Sequence, residues 1–253
     1  MGKTIAIVNQ KGGVGKTTTS VNLSAALHDQ GAKVLVCDFD PQANSTSGLG
    51  VDKTLSPSIY DVIMGTVPAE QAVVSTPWCD VLPSNKALSG ATVELIHMER
   101  REYRLKDALE PIRDQYDFLF IDCPPSLELL TLNGLCAAQT LLVPVQCEYF
   151  ALEGLSDLLY TIRLAKQALN PTLELEGVLL TMYDGRTNLS MQVAEEVKRH
   201  FPGKVYATPI PRNVRLSESP SYGKPIQAYD RLSRGARAYG SLAREFLSIN
   251  GRE

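Results

Sequence analysis

The stretch NQKGGVGKTTT, residues 9–19, decides the fold of this chain of 253 residues. It comes close to the phosphate-binding pattern G-x-x-x-x-G-K-[ST], in which backbone amides and a lysine surround the phosphates of a nucleotide. The first glycine of that pattern falls at position 10, where the sequence has Gln10. A second lysine, Lys11, stands inside the loop. The stretch therefore leaves two possibilities: a nucleotide site whose extra lysine has a role, or a glycine-rich turn that contains Gly-Lys-Thr by chance.

The surroundings of this loop favour the nucleotide site, because short apolar runs alternate with helical patterns along the chain. The apolar runs are continuous rather than alternating, which is typical of parallel strands covered on both faces. The predicted strands are 4–9, 33–38, 117–122, 140–145, 177–182 and 204–210. The predicted helices are 17–30, 101–115, 127–138, 152–169, 190–200 and 234–249. The loop thus lies between a strand and a helix, as a phosphate-binding loop requires.

The alternation of strands and helices predicts an α/β fold. We expect a doubly wound, mainly parallel twisted sheet with helices on both faces and right-handed crossovers. No internal repeat or long linker divides the sequence, so a single domain over residues 1–253 is expected. Residues 45–100 are the least regular part and are expected to form an insertion with short helices.

Composition narrows the functional classes. The chain is 44% hydrophobic and 21% charged, which is ordinary for a soluble globular protein. We expect no signal peptide before the first strand, and no apolar run approaches the roughly 20 residues of a spanning helix, so a cytoplasmic protein is expected. The cysteines contain no C-x-x-C pair, which favours buried reduced thiols over a zinc or iron–sulfur site. They stand at positions 37, 79, 123, 136 and 147.

The glycines, lysine and hydroxyl of the loop carry the chemistry of phosphate binding. Gly12, Gly13 and Gly15 let backbone N–H groups approach phosphates without a Cβ in the way. The helix that begins near Lys16 adds the positive end of its dipole at the same place. Lys16 would reach the β- and γ-phosphates, and the hydroxyl of Thr17 would bind Mg²⁺. The loop therefore predicts a nucleotide site that uses magnesium.

Three aspartates follow predicted strands. In VLVCDFDPQ, Asp38 and Asp40 lie on the same side of the strand end, because side chains alternate along a strand. In FLFIDCPPS, Asp122 follows four apolar residues in the manner of a Walker-B aspartate, which holds Mg²⁺ through water. Ligands of doubly wound sheets bind beyond the carboxyl ends of the strands, so all three carboxylates are candidates for the site. An isolated D-x-D would otherwise be a solvent-exposed strand end.

Five stretches together carry a family resemblance. They are KGGVGKTT, DFDPQ, IDCPPS, PVQCEYFALEGL and IPRNVRLSE. This set resembles the ParA family of deviant-Walker ATPases, most closely its chromosomal Soj branch, over essentially the whole chain. The resemblance implies a P-loop NTPase fold and an ATP sandwich dimer in which Lys11 crosses the interface to the partner's nucleotide phosphates. A lysine donated in this way would act like an arginine finger.

The resemblance also implies roles for single residues. Lys11, Lys16 and Asp40 are the implied catalytic residues, and Asp40 would position the attacking water. The implied metal-holding residues are Thr17, directly, and Asp38 and Asp122, through water. The stretch 211–213 would contact the adenine. The implied ATP-binding residues are Lys11, Gly12, Gly13, Val14, Gly15, Lys16, Thr17, Thr18, Pro211 and Asn213.

The charge distribution along the chain indicates a possible contact with nucleic acid. The net charge is −3, but the segment 186–237 contains ten Lys/Arg against four Asp/Glu. An arginine-rich face suits contacts with the phosphate backbone rather than base recognition. The resemblance implies that the ATP dimer binds double-stranded DNA non-specifically, with Arg186 and Arg215 at matching positions. The remaining basic residues would otherwise form only a solvated surface.

The leading hypothesis is a DNA-partitioning ATPase that slowly hydrolyses ATP to ADP and phosphate. By resemblance, its partners are a second copy of the chain, DNA and a ParB-type centromere-binding protein that stimulates hydrolysis, and it would associate with the nucleoid. One alternative is a membrane-positioning ATPase of the MinD kind. The helix 234–249 has an apolar stripe but lacks a dense Lys/Arg face, so core packing and no membrane contact are expected. The third hypothesis is a metabolic enzyme or an iron–sulfur carrier such as nitrogenase iron protein.

Overall fold

The computed structural model describes residues 2–126, 128–148 and 151–251, and for 151–158 the backbone alone. Its centre is one seven-stranded sheet. The strands are β1 (Lys3–Ile7), β2 (Val34–Asp38), β3 (Val74–Ser75), β4 (Asp80–Leu82), β5 (Phe118–Asp122), β6 (Thr140–Gln146) and β7 (Glu174–Thr181). Their order across the sheet is β3-β4-β2-β5-β1-β6-β7, and only the β3–β4 pair is antiparallel. The predicted α/β fold with a mainly parallel sheet is confirmed.

Helices cover both faces of the sheet. They are α1 (Lys16–His28), α2 (Asn44–Gly48), α3 (Ile59–Met64), α4 (Ala69–Ala72), α5 (Leu88–Leu95), α6 (Arg104–Arg113), α7 (Leu129–Ala137), α8 (Ala151–Ala168), α9 (Asn188–His200), α10 (Val214–Glu218), α11 (Ile226–Tyr229) and α12 (Arg234–Ile249). A 3₁₀ turn, Ser219–Tyr222, follows α10. Every residue of β2 and β5 is buried, because these strands are covered on both sides.

Two apolar clusters, one on each face, hold the layers together. On one face α1 and α12 pack against the sheet, and the ring of Phe246 lies 5.0 Å from Phe118 and 5.7 Å from Phe120. On the other face, α6, α7 and α9 contribute apolar side chains such as Leu109 and Val197. The chain runs from β1 to β2 on one side of β1 and from β6 to β7 on the other, so the strand order reverses beside β1, and doubly wound folds bind ligands at the carboxyl ends of the strands there.

The strand predicted at 204–210 is wrong. Within this segment, all of it described, one isolated bridge joins Val205 to Val178 of β7; a second, just beyond the segment, joins Pro211 to Tyr183 after β7. The backbone amides of Ala207 and Thr208 bond instead to the carboxylate of Glu245 on α12, at 2.6 and 3.0 Å. A side chain that lies far away in sequence therefore takes the donors that a continuous ladder would need.

The segment 45–100 does contain the expected short helices, α2 to α5, but it is also part of the sheet. Its strand β4 pairs in parallel with β2, and β3 forms the edge. These strands have three and two residues, which is too short for the apolar periodicity to indicate them. The expected insertion is thus in part a sheet extension.

The remaining predicted elements agree with the structure within a few residues. The helix predicted at 127–138 begins at Leu129, and position 127 lies outside the described residues, as do positions 149 and 150 of the PVQCEYFALEGL stretch. The helix at 234–249 is confirmed, and its apolar stripe is buried in the core: Tyr239, Leu242, Ala243 and Phe246. All five cysteines are buried and free. Within the described part of the chain, no helix has the length and apolarity to cross a bilayer.

Candidate nucleotide site

The glycine-rich loop connects β1 to α1 at the carboxyl end of the sheet. Gly13 and Gly15 have φ angles of 75° and 95°, in the left-handed region that favours glycine. A Cβ at Gly15 would meet the methyl group of Thr181 at 3.4 Å, whereas a Cβ at Gly12 or Gly13 would meet no atom within 4 Å. The backbone of Gly12 and Gly13 therefore borders open space, as it must if phosphates are to approach its amides.

Long-range hydrogen bonds fix the course of this loop. The Thr181 hydroxyl at the end of β7 donates to the carbonyl of Val14 at 2.7 Å. The ammonium of Lys16 donates to the carbonyl of Lys11 at 2.8 Å. Lys16 is only 7% exposed, and burial lowers its pKa against the opposing charge of Asp122. Lys16 is thus held inside the loop, and its side chain lines the groove beside it.

Two of the predicted carboxylates lie side by side at the ends of adjacent strands. Asp38 of β2 is in register with Asp122 of β5, and both are fully buried. Burial raises the pKa of each carboxyl, and the charge of Asp122 raises that of Asp38 further. Hydroxyls of α2 oppose this effect, because Thr46 donates to Asp38 at 2.7 Å and Ser45 donates to Asp122 at 2.7 Å.

The carboxylate of Asp122 fits a magnesium site. The Thr17 hydroxyl lies close enough to lower the pKa of Asp122. Even so, Oδ1 of Asp122 is buried and accepts no hydrogen bond of full geometry from the described residues. A buried acceptor without a donor is costly, and a water molecule on Mg²⁺ would supply that donor. Thr17 and Asp122 therefore have side chains that suit a magnesium ion, whereas both oxygens of Asp38 already accept hydrogen bonds, from the Asp40 amide and from Thr46.

Asp40 lines the same groove as the phosphate-binding loop. It is 8% exposed and accepts a hydrogen bond from the amide of Gln42 at 2.9 Å. It lines a cavity of about 300 Å³ together with the loop residues. The loop residues of this cavity are Gly12, Gly13, Gly15, Lys16, Thr17 and Thr18. A carboxylate that faces the phosphate-binding loop across a small cavity can orient a water molecule there.

A second cavity, of about 480 Å³, continues from the first. The two share Gly15, Thr18 and Met182, so they form one groove. The predicted adenine contacts, Pro211 and Asn213, both line this larger part. The Asn213 side chain is fixed because it accepts a hydrogen bond from the amide of Leu216 at 3.3 Å and so caps α10. The structure thus brings together the two predicted halves of the ATP site.

The predicted DNA-contacting arginines lie away from the loop, on the surface. The side chain of Arg186 is 88% exposed and forms two hydrogen bonds to Asp184, at 2.8 and 2.7 Å. Arg215 of α10 pairs with Glu218 at 2.8 Å and lies 3.5 Å from Asp230. Both are accessible to a large ligand, but each is already paired with a carboxylate.

Several residues of the site were missed by sequence reasoning. Ser45 and Thr46 hold the two buried aspartates, Thr181 holds the loop, and Met182 joins the two cavities. Met182 has a φ of 50°, which is uncommon for a residue with a side chain. The hydroxyl pair directly after DFDPQAN was a usable signal, since short polar side chains next to buried carboxylates are natural donors. Nothing local indicated Thr181 or Met182.

Comparisons with known proteins agree with this geometry. A family model described as "AAA domain" matches residues 2–175. The chain is 56% identical to sporulation initiation inhibitor protein Soj of Bacillus subtilis, covering 99% of this chain and 100% of that protein. It is 50% identical to the chromosome-partitioning ATPase Soj of Treponema pallidum, covering 99% of each. A solved structure of Mycobacterium smegmatis cobyrinic acid a,c-diamide synthase with an ATP analogue and magnesium is 40% identical, with a TM-score of 0.86 over 100% of this chain and 98% of that one.

Proposed function

This chain belongs to the ParA/Soj family of chromosome-partitioning ATPases, and on that premise we propose how its residues couple ATP to DNA binding. ATP would enter the continuous groove, and two copies of the chain would close over the nucleotides as a dimer. The dimer would bind DNA non-specifically until hydrolysis separates it. The observation that carries this proposal is the shared groove, which joins the glycine loop, Asp40 and the stretch 211–213.

The cis half of the mechanism is phosphate binding. We propose that backbone amides of Gly12 to Gly15 and the ammonium of Lys16 surround the β- and γ-phosphates, while Thr17, Asp38 and Asp122 hold magnesium. Bound magnesium would neutralise charge that develops on the phosphate oxygens. The open space beside Gly12 and Gly13 and the unpaired Oδ1 of Asp122 support this assignment. The adenine would lie against Pro211 and Asn213 in the larger cavity.

The trans half concerns hydrolysis. We propose that Asp40 orients the attacking water and that Lys11 reaches the γ-phosphate of the partner's nucleotide. Asp40 faces the loop across the smaller cavity, and Lys11 begins that loop. Transition-state charge would be stabilised only when both copies are in place, because one lysine comes from each side. Dimerisation would therefore be coupled to the nucleotide state: ATP would favour the dimer, and the dimer would favour ATP hydrolysis.

DNA binding is assigned to the basic segment 186–237. Arg186 and Arg215 are exposed on this segment. A DNA phosphate could replace the carboxylate that each arginine now contacts, or could bind the same guanidinium beside it. Such a dimer would accumulate on the nucleoid. We further propose that a ParB-type protein stimulates hydrolysis, and that residues 1–253 act as a single domain, since one sheet contains β1 to β7 and α12 packs into the same core as α1.

The deciding experiment is steady-state ATPase activity with DNA, with a ParB-type N-terminal peptide, and with both. Slow basal turnover and synergistic stimulation by the two together are expected. Turnover that neither component changes would contradict the partitioning mechanism. It would favour an ATP-using synthase, the one alternative that the similarity to the Mycobacterium smegmatis enzyme supports. Sedimentation with liposomes and ATP tests the MinD-like alternative, against which the burial of the α12 stripe already argues.

A further inference from the structure

The chain leaves β1 for the glycine loop at a place where the sheet ladder cannot continue. The ladder between β1 and β6 runs from Ile5 to Ile7 and ends with the amide of Val8 bonded to the carbonyl of Leu142. The residue two positions beyond Leu142 is Pro144, which has no N–H to donate to β1. Backbone pairing therefore stops here, and another group must hold the start of the loop.

The side chain of Asn9 is that group. Asn9 is 7% exposed, and its Nδ2 donates to the carbonyl of Pro144 at 2.8 Å. Its Oδ1 accepts from the backbone amide of Lys11 at 3.0 Å. One amide side chain thus extends the contact with β6 and at the same time closes an Asx-type turn over Gln10. Both bonds would be lost with an aliphatic residue at position 9.

The consequence concerns Lys11. Its backbone amide is held by Asn9, and its carbonyl accepts the Lys16 ammonium at 2.8 Å, so both of its backbone polar groups are anchored. The Cα of Lys11, and with it the direction in which its side chain leaves the loop, is therefore set from the sheet through Asn9. A group that must reach into another subunit has to start from a defined point, because misplacement by about 1 Å can cost 10²-fold in rate.

We propose that Asn9 is a positioning residue for Lys11: it fixes the start of the loop against Pro144 so that Lys11 can reach the partner's nucleotide. The inference rests on the proposed trans role of Lys11. Asn9 itself touches neither the phosphates nor the metal. The backbone of the glycines, Lys16 and Thr17 is held by Thr181 and by α1, so most of the nucleotide contacts within one copy do not depend on Asn9.

The test compares four variants of the full chain. Asn9→Ala removes both bonds, and Asn9→Ser keeps a hydroxyl that can accept from the Lys11 amide in an analogous turn but cannot reach Pro144. Lys11→Ala removes the side chain that is being positioned. Asn170→Ala is the matched control, because Asn170 is 6% exposed and its amide likewise bonds to backbone carbonyls, those of Leu135 and Ala138, away from the glycine loop.

Three measurements are made on each variant: ATP affinity by equilibrium binding, ATP-dependent dimerisation and turnover, and hydrogen exchange of the Lys11 amide without nucleotide. Asn9→Ala should bind ATP within about threefold of the wild type but lose about 10- to 100-fold in dimerisation and turnover. The Lys11 amide should exchange faster in Asn9→Ala and recover in Asn9→Ser, along with part of the activity. Asn170→Ala should lose thermal stability to a similar extent yet dimerise normally.

A double variant separates this inference from the proposed function. If Asn9→Ala adds nothing in the Lys11→Ala background, Asn9 acts through Lys11. Additive losses would overturn the inference, as would normal dimerisation of Asn9→Ala when Lys11→Ala is defective. If Lys11→Ala dimerises and hydrolyses normally, the trans role itself is wrong. In that case a defect in Asn9→Ala would mean that Asn9 acts by another route. Normal behaviour of Asn9→Ala would mean that positioning Lys11 has no functional consequence. Either result overturns the inference.

Discussion

The glycine loop and the basic segment 186–237 are both proposed to bind phosphates, but the protein holds their side chains in opposite ways. The loop is fixed by side-chain bonds from β7 and α1 to its backbone and by the Asn9 side chain, which donates to β6, and Lys16 is buried within it. In the basic segment, the side chains of Arg186 and Arg215 are exposed and pair with carboxylates at the surface. A preorganised site binds one ligand in one geometry, whereas exposed arginines can adapt to a backbone whose sequence and position vary. The comparison predicts large, specific losses in the loop and smaller, salt-dependent ones on the surface.

The largest loss is expected for Lys16→Ala. Removing the buried ammonium deletes a phosphate partner from a preorganised loop, so ATP binding should weaken by about 100-fold or more. Isothermal titration with an ATP analogue and magnesium checks this. Lys33→Ala removes an exposed lysine near Tyr116, at the other end of β2, and should bind normally. Unchanged ATP affinity in Lys16→Ala would show that the glycine loop is not the preorganised phosphate site that the comparison assumes.

Asp40→Ala comes next and separates binding from hydrolysis. The carboxylate of Asp40 lines the groove and accepts a hydrogen bond from the amide of Gln42 in the loop that follows it, so its removal should leave the ATP site intact. Turnover should fall by about 100-fold, the lower range for loss of a positioned acid–base group. The ATP dimer should then persist on gel filtration, whereas the wild type should return to monomer as ATP is consumed. A monomeric Asp40→Ala with ATP would show that this residue acts in assembly instead.

The fold and much of the site could be predicted from the sequence because the decisive signals are local. The strand, loop and helix from β1 to α1 are contiguous, and Asp38 and Asp122 each end an apolar run. What could not be predicted depends on distant partners. The stretch 204–210 resembles a strand, but Glu245 bonds to its amides from α12. Likewise, the role of Asn9 becomes visible only when Pro144 lies beside it.

Arg215→Ala tests the proposed DNA contact of the basic segment 186–237. Loss of one exposed phosphate contact should weaken DNA binding about tenfold at low salt and reduce the magnitude of the salt slope by about 1, with ATP affinity unchanged. Fluorescence anisotropy over a salt series measures both quantities. Arg113→Ala is the control, since Arg113 pairs with Glu110 and Asp114 outside the basic segment. An Arg215→Ala protein that fails to dimerise would assign this residue to the interface rather than to DNA.

The buried carboxylates yield a pH test of the fixed site. Burial raises the pKa of Asp122 above its unfolded value, so the folded state holds a proton more tightly and the ligand-free protein loses stability as pH rises from about 4 toward neutrality. Asp122→Asn should therefore gain about 1 kcal/mol at pH 8 without nucleotide or magnesium, and little at pH 4. Urea unfolding at both pH values checks the sign. Asp29→Asn, at an exposed position after α1, should show no such difference.

The smallest effect is expected for DNA affinity when Asp184, the carboxylate beside Arg186, is replaced. Arg186 is paired with Asp184, and hydrogen bonds from that arginine hold the pKa of the Asp184 carboxyl well below its usual range. A DNA phosphate must compete with this carboxylate, so Asp184→Asn should raise DNA affinity by about two- to threefold, a size typical of exposed ion pairs. The gain should disappear at high salt, because both interactions are screened there. Asp107→Asn breaks the comparable pair with Arg100 elsewhere on the surface and should leave DNA affinity unchanged. If Asp184→Asn lowered affinity, the carboxylate would orient Arg186 for DNA rather than compete for it, and this part of the surface would be preorganised as the loop is.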